Sequence, residues 1–150
     1  MPTHYAGTAK EKLALDTFIK LTRAANTVDA SLAQRGALEK LTPSQFGTLE
    51  TLYHLGPLCA GEIGQKLLKS GGNMTMVIDN LEKQGWVRRE RNPEDRRQVP
   101  IHLTESGQAL IEAVLPEQVA AIVEVFDVLD PAEQQQLGDL LRKLGQGNAG

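Results

Sequence analysis

The sequence contains a single cysteine, Cys59, only six aromatic residues and no long apolar run. One cysteine excludes an intramolecular disulfide framework and any cysteine-rich zinc site, and fits a chain kept in a reducing cytoplasm. Aromatics at 4% disfavour a β-sandwich or barrel, whose strands draw heavily on aromatic and β-branched residues. No segment approaches the roughly 20 consecutive apolar residues of a membrane span. Residues 1–10 lack the apolar stretch of a signal peptide. What is present is a 150-residue chain, 41% hydrophobic. A single domain of that size buries roughly 68–70% of its unfolded surface and needs no metal or disulfide staple. The formal charge of −3, taken whole, counts against a nucleic-acid binder.

The distribution of charge changes that inference. Residues 1–62 are neutral, residues 63–98 carry a net +3, and residues 99–150 carry a net −6. The basic residues peak at Arg88, Arg89, Arg91, Arg96 and Arg97, interleaved with Glu90, Glu94 and Asp95. Segregation of this kind predicts a positive surface on the central third.

Periodicity predicts a mainly helical chain. Residues 9–37 place Leu15, Phe18, Ile19, Ala25, Val28 and Leu32 on one helical stripe that ends near Gly36. Thr42-Pro43-Ser44-Gln45 is a capping box with proline at the first helical position, opening a helix with Phe46, Leu49, Leu52 and Tyr53 on one face. A short helix follows at about 60–68. After Lys69-Ser70-Gly71-Gly72-Asn73 another spans about 73–84, with Met74, Val77, Ile78 and Leu81 inward and Gly85 as its stop. Residues 86–91 and 99–104 read as two strands around the turn Asn92-Pro93-Glu94-Asp95, and Pro100 predicts an edge position for the second. Thr104 caps a long helix that Pro116 should kink or restart, and Asp130-Pro131-Ala132-Glu133 opens a last one. Residues 145–150 are expected to fray.

Helix, turn, helix and then hairpin describe a winged helix-turn-helix, flanked by long helices whose apolar stripes need a partner, most simply a second copy of the chain. On the helix at 73–84, Asn73, Thr75, Met76, Asp79, Asn80 and Lys83 face away from the core. This is either an ordinary solvated face or one suited to a major groove, where Asn bonds adenine and Thr meets a phosphate or a thymine methyl. The N–H groups of residues 70–73 can receive a phosphate oxygen. At the hairpin tip an arginine can enter a narrow minor groove, with Asp95 holding its guanidinium.

The segments Leu41-Thr42-Pro43-Ser44-Gln45-Phe46, Ser70-Gly71-Gly72-Asn73-Met74-Thr75, Leu81-Glu82-Lys83-Gln84-Gly85-Trp86-Val87-Arg88-Arg89, Asp95-Arg96-Arg97 and Leu103-Thr104-Glu105-Ser106-Gly107, in that order, resemble the MarR family of bacterial transcription regulators. The resemblance implies one MarR-type domain over 1–150, with dimerisation helices at about 9–37 and 105–145 and a winged helix-turn-helix lobe at about 42–104. It further implies a homodimeric repressor that binds a pseudo-palindromic operator in double-stranded DNA and is released by a small phenolic or aromatic ligand, or by a thiol-reactive compound. The DNA-binding residues would be Ser70, Gly71, Asn73, Thr75, Met76, Asn80, Asp95, Arg96 and Arg97. Asp95 and Arg97 would be the paired wing residues, with residues 70–80 presenting the recognition helix. Many relatives carry arginine where this chain has Met76, so base readout shifts to Asn73, Thr75, Asn80 or DNA shape. The rival reading is a winged-helix module for protein contacts.

Other patterns carry less. Gly145-Gln146-Gly147-Asn148-Ala149-Gly150 matches a dinucleotide fingerprint but lacks the strand before and the helix after it. His4, His54 and His102 form no helical metal pair, no nucleophile–base spacing stands out, and neither enzyme activity nor a cofactor is expected. Cys59, in the loop 56–61 near a helix start, is either a small packing residue or a redox sensor whose pKa the helix dipole lowers.

Overall fold

The computed structural model describes residues 3–36, 38, 41–67, 71–95 and 97–149. Its elements are α1 (Ala9–Arg35), α2 (Pro43–Leu55), β1 (Leu58–Cys59), α3 (Ala60–Leu67), α4 (Gly71–Lys83), β2 (Val87–Arg89), β3 (Pro100–Leu103), α5 (Glu105–Phe126) and α6 (Pro131–Asn148). Among the described residues no helix is long and apolar enough to cross a membrane. The architecture is mainly helical with a small antiparallel sheet. By its internal contacts the chain divides into two compact units, residues 37–119 and residues 1–36 with 120–150.

Local chemistry explains the helix ends. Thr42 Oγ1 accepts the Gln45 N–H at 3.1 Å while Gln45 Oε1 accepts the Thr42 N–H at 3.0 Å, and Asp130 and Glu133 repeat the arrangement at α6. Gly36 closes α1 in the left-handed region at φ 71°, a conformation that costs glycine little.

The unit of residues 37–119 holds the core. Leu49 from α2, Ile63 from α3, Met74, Ile78 and Leu81 from α4, Val87 and Ile101 from the sheet, and Ile111 from α5 are all essentially inaccessible. Tyr53, expected on the apolar face of α2, is instead 38% exposed. The chain entering the first strand of the wing passes the start of α5 at a tight point. Thr104 donates its backbone N–H to the Trp86 carbonyl at 3.1 Å and its hydroxyl to the Gly85 carbonyl at 2.6 Å, and its Oγ1 accepts the Gly107 N–H at 3.0 Å. A Cβ at position 107 would stand 1.9 Å from the Trp86 oxygen, so only glycine fits.

Four expectations are corrected. The loop 56–61 contains β1, which pairs with β3 (Leu58↔Ile101, Cys59↔Pro100) and makes the strand order β1-β3-β2. Pro100 therefore begins the central strand rather than an edge strand, and it is tolerated there as the strand's first residue. Pro116 neither ends nor restarts its helix. It removes a single donor inside α5, and the turns on either side carry the helix through. The glycine-rich tail does not fray at 145; α6 continues to Asn148, whose Nδ2 donates to the Leu144 carbonyl at 2.8 Å.

The other unit contrasts with this. Neither α1 nor α6 has a buried residue. Leu13, Phe18, Val123, Leu140 and Leu144 are all substantially exposed. Ile122, Val123, Phe126, Leu137 and Leu141 line an apolar groove between the end of α5 and α6. Arg35 donates to Glu124, tying α1 to α5 within this unit.

Candidate nucleic-acid interface

The second helix of the turn, α4, buries Met74, Val77, Ile78 and Leu81 and leaves Asn73, Thr75, Met76, Asp79 and Asn80 exposed. The split follows from the 3.6-residue period: four apolar positions at i, i+3, i+4 and i+7 anchor one stripe and turn the rest outward. Met76, at 67% exposure, stands out from this face where a polar residue would be expected. Gly71, Gly72 and Asn73 form the first turn of α4 rather than a separate breaker. Ser70 and Arg96 lie outside the described residues.

The hairpin β2–β3 pairs Val87↔Leu103, Arg88↔His102 and Arg89↔Ile101, and the residues between the strands form the wing. Its turn is shaped by local carboxylate and amide contacts. Asn92 Oδ1 accepts the Glu94 N–H at 3.0 Å, and Asp95 Oδ1 accepts the backbone N–H of Arg97 at 3.0 Å. Asp95 was expected to hold the Arg97 guanidinium. The contact is instead to the Arg97 backbone, because an aspartate two residues before an N–H closes an Asx-type turn without extending its short side chain. Arg97 itself is exposed.

The four described arginines of this segment fall into different roles. Arg88 pairs with Glu90 at 3.0 Å, and His102 Nε2 lies 2.9 Å from the same Glu90 oxygen. Arg89 pairs with Asp79 at 2.6 Å and with Glu82 at 2.8 Å. Partial burial opposes the Arg89 cation, but its hydrogen bonds to the two carboxylates outweigh this and hold its pKa above the ordinary guanidinium value. Among the described residues, Arg91 and Arg97 make no ion pair, and Arg91 lines a wing concavity with Arg89, Asn92, Pro93 and Val99. The positive potential of the wing is thus concentrated on fewer side chains than the count of arginines suggests. Sequence reasoning missed Asp79 and Glu82 as partners of Arg89 and His102 as a partner of Glu90, since these groups meet only when the hairpin folds back.

At Cys59 the structure weighs against the redox-sensor alternative. Burial, then the charge and hydrogen bond of Glu62, push its thiol up from the usual value, with a backbone contact from Val99 opposing them. Glu62 Oε1 also accepts the Cys59 N–H at 3.1 Å, so a carboxylate already occupies the helix start that was to stabilise a thiolate.

With this geometry in place, the comparisons with known proteins are consistent. The MarR family model matches residues 41–99. The transcriptional regulator MhqR of Bacillus subtilis is 33% identical over 131 residues, spanning 87% of this chain and 90% of that protein. Among solved structures, BpsR of Bordetella bronchiseptica, whose DNA binding is regulated by 6-hydroxynicotinic acid, superposes with a TM-score of 0.80 at 28% identity, covering 87% of this chain and 98% of that one. A MarR family regulator from Streptomyces coelicolor in complex with DNA also gives 0.80, at 27% identity over 97% of this chain and 91% of that one. A winged helix-turn-helix, ordered motifs from residue 41 onward and full-length relatives converge: the chain belongs to the MarR family, whose members are helix-turn-helix transcriptional regulators and not enzymes.

Proposed function

We propose that this regulator is a homodimeric repressor working on double-stranded DNA in the cytoplasm, with residues 42–104 as its reading lobe. Two copies present paired α4 helices to successive major grooves of a pseudo-palindromic operator while the wings reach the flanking minor grooves. The contacts come from Ser70, Gly71, Asn73, Thr75, Met76 and Asn80 on and before α4, and from Asp95, Arg96 and Arg97 on the wing. Met76 makes apolar contact and cannot form the bidentate guanine bond of an arginine, so Asn73 and Asn80 carry base readout. The observation that carries this reading is the pairing of an outward polar face on α4 with an exposed wing arginine, Arg97, that makes no ion pair among the described residues.

Homodimerisation is supported by α1 and α6, which bury nothing, and by the apolar groove along the end of α5. Release by a small aromatic ligand is favoured over release by a thiol-reactive compound. BpsR supplies a precedent for an aromatic acid, and the raised pKa of Cys59 works against a reactive thiolate. Such a ligand acts by preferring a dimer whose α4 helices are wrongly spaced for DNA.

The test is binding to the DNA upstream of the protein's own gene. Arg97→Ala should weaken binding roughly tenfold while sedimentation still reports a dimer. Unchanged affinity would remove Arg97 from the interface.

A further inference from the structure

Arg89 sits in the densest polar contact of the reading lobe, and every one of its bonds crosses from the hairpin to α4. Its backbone N–H donates to Glu82 Oε2 at 3.1 Å, its Nη1 to Glu82 Oε1 at 2.8 Å and its Nη2 to Asp79 Oδ1 at 2.6 Å. The next residue, Glu90, donates its N–H in the opposite direction, to the Pro100 carbonyl of β3 at 3.0 Å. β2 is an edge strand in the order β1-β3-β2, and a carboxylate from α4 occupies the outer N–H of its last residue. The foot of the wing is therefore clasped on one side by its own sheet and on the other by α4. The planar guanidinium fork engages two carboxylates at once, a geometry that a lysine ammonium does not reproduce. The Arg89 side chain is 28% exposed, against 52% for Asp79 and 42% for Glu82. The cation is thus the most sheltered member of the set.

We propose that Arg89 is a positioning residue for DNA binding: the Asp79–Arg89–Glu82 brace fixes the wing relative to α4, so that both grooves are engaged together, and Arg89 itself touches no phosphate. The inference rests on the DNA-binding reading above. Without the brace, the wing must be ordered at the moment of binding, which lowers affinity. Two carboxylates are also unmasked on the side of α4 that faces away from the core, so the effects of position and of charge must be separated.

The full-length protein is titrated by fluorescence anisotropy with the DNA upstream of its own gene, and with a scrambled duplex of equal length, over a range of salt concentrations. Hydroxyl-radical footprints are taken on the same DNA. Arg89→Met is expected to bind roughly tenfold more weakly, with an unchanged slope of log affinity against log salt. Its footprint should lose the minor-groove protection of the wing and keep the protection from α4. Arg89→Lys should not restore binding. Asp79→Asn and Glu82→Gln added to Arg89→Met should leave binding weak. A slope shallower by about one would make Arg89 a phosphate contact and overturn the proposal. Recovery in the triple variant would reduce Arg89 to a charge mask, and an intact wing footprint would overturn the brace. If Arg89→Met fails to fold, Glu82→Gln, which keeps an acceptor for the Arg89 N–H, should give the same pattern at smaller amplitude, and a wild-type footprint from it would refute the brace. Failure of the unsubstituted protein to prefer its upstream DNA would instead strike the DNA-binding reading, and is visible before any substitution is made.

Discussion

The two compact units of this chain solve the burial problem differently. Residues 37–119 close a core around Leu49, Ile63, Ile78 and Ile111, each fully inaccessible. Residues 1–36 with 120–150 have long, well-capped helices, yet α1 and α6 bury nothing and Phe18, Val123 and Leu140 stand more than half exposed. Helix propensity and caps are sufficient to shape an element, but a packed partner is what stabilises its apolar face. The first unit has that partner within one chain. The second needs another surface, which the proposed homodimer would supply with matching chemistry.

The sharpest way to break the comparison is to damage the self-sufficient unit. Gly107→Ala drives a methyl group into the Trp86 carbonyl, and is expected to cost about 3 kcal/mol, read as a drop in the denaturant midpoint. Gly61→Ala, in α3 with nothing within 4 Å of the added carbon, should be neutral or stabilising by a few tenths of a kcal/mol and serves as the control. The next effect belongs to the other unit. Val123→Asp should shift the protein from dimer to monomer by sedimentation equilibrium, and remove the concentration dependence of Tm that a folded dimer shows. A monomeric wild type at micromolar concentration would contradict the self-association account. The smallest effect is at Cys59. Because its pKa is raised, the thiolate fraction at neutral pH is below that of an ordinary cysteine and grows only as pH rises. Alkylation at pH 7 should be slower than for a cysteine peptide, and Cys59→Ser should bind and release DNA like the wild type under peroxide.

The same contrast explains what could be read from the residues alone. Caps are local: Thr42 with Gln45, and Asp130 with Glu133, span three positions and announce their helices. The stripe Met74, Val77, Ile78 and Leu81 fixes which face of α4 turns outward, so the exposure of Asn73, Thr75 and Asn80 was legible. β1 was not, because a strand of two residues has no period; its pairing with Pro100 is visible only in three dimensions. The brace was hidden for a similar reason. Glu82 and Arg89 are seven positions apart across a turn at Gly85, where φ is +78°, and no helical or strand period joins them. Asp95 and Arg97 were correctly paired but through the wrong atoms, since spacing alone does not separate a guanidinium from a backbone N–H.

DNA binding measured against salt tests operator recognition most directly. The unsubstituted protein is titrated with the DNA upstream of its own gene and with a random duplex of the same length. The account predicts preference for the upstream DNA, a linear fall of log affinity with log salt, and loss of most of that preference in Arg97→Ala while the dimer persists. Equal affinity for both duplexes, or an Arg97→Ala protein that binds as the wild type does, would contradict it.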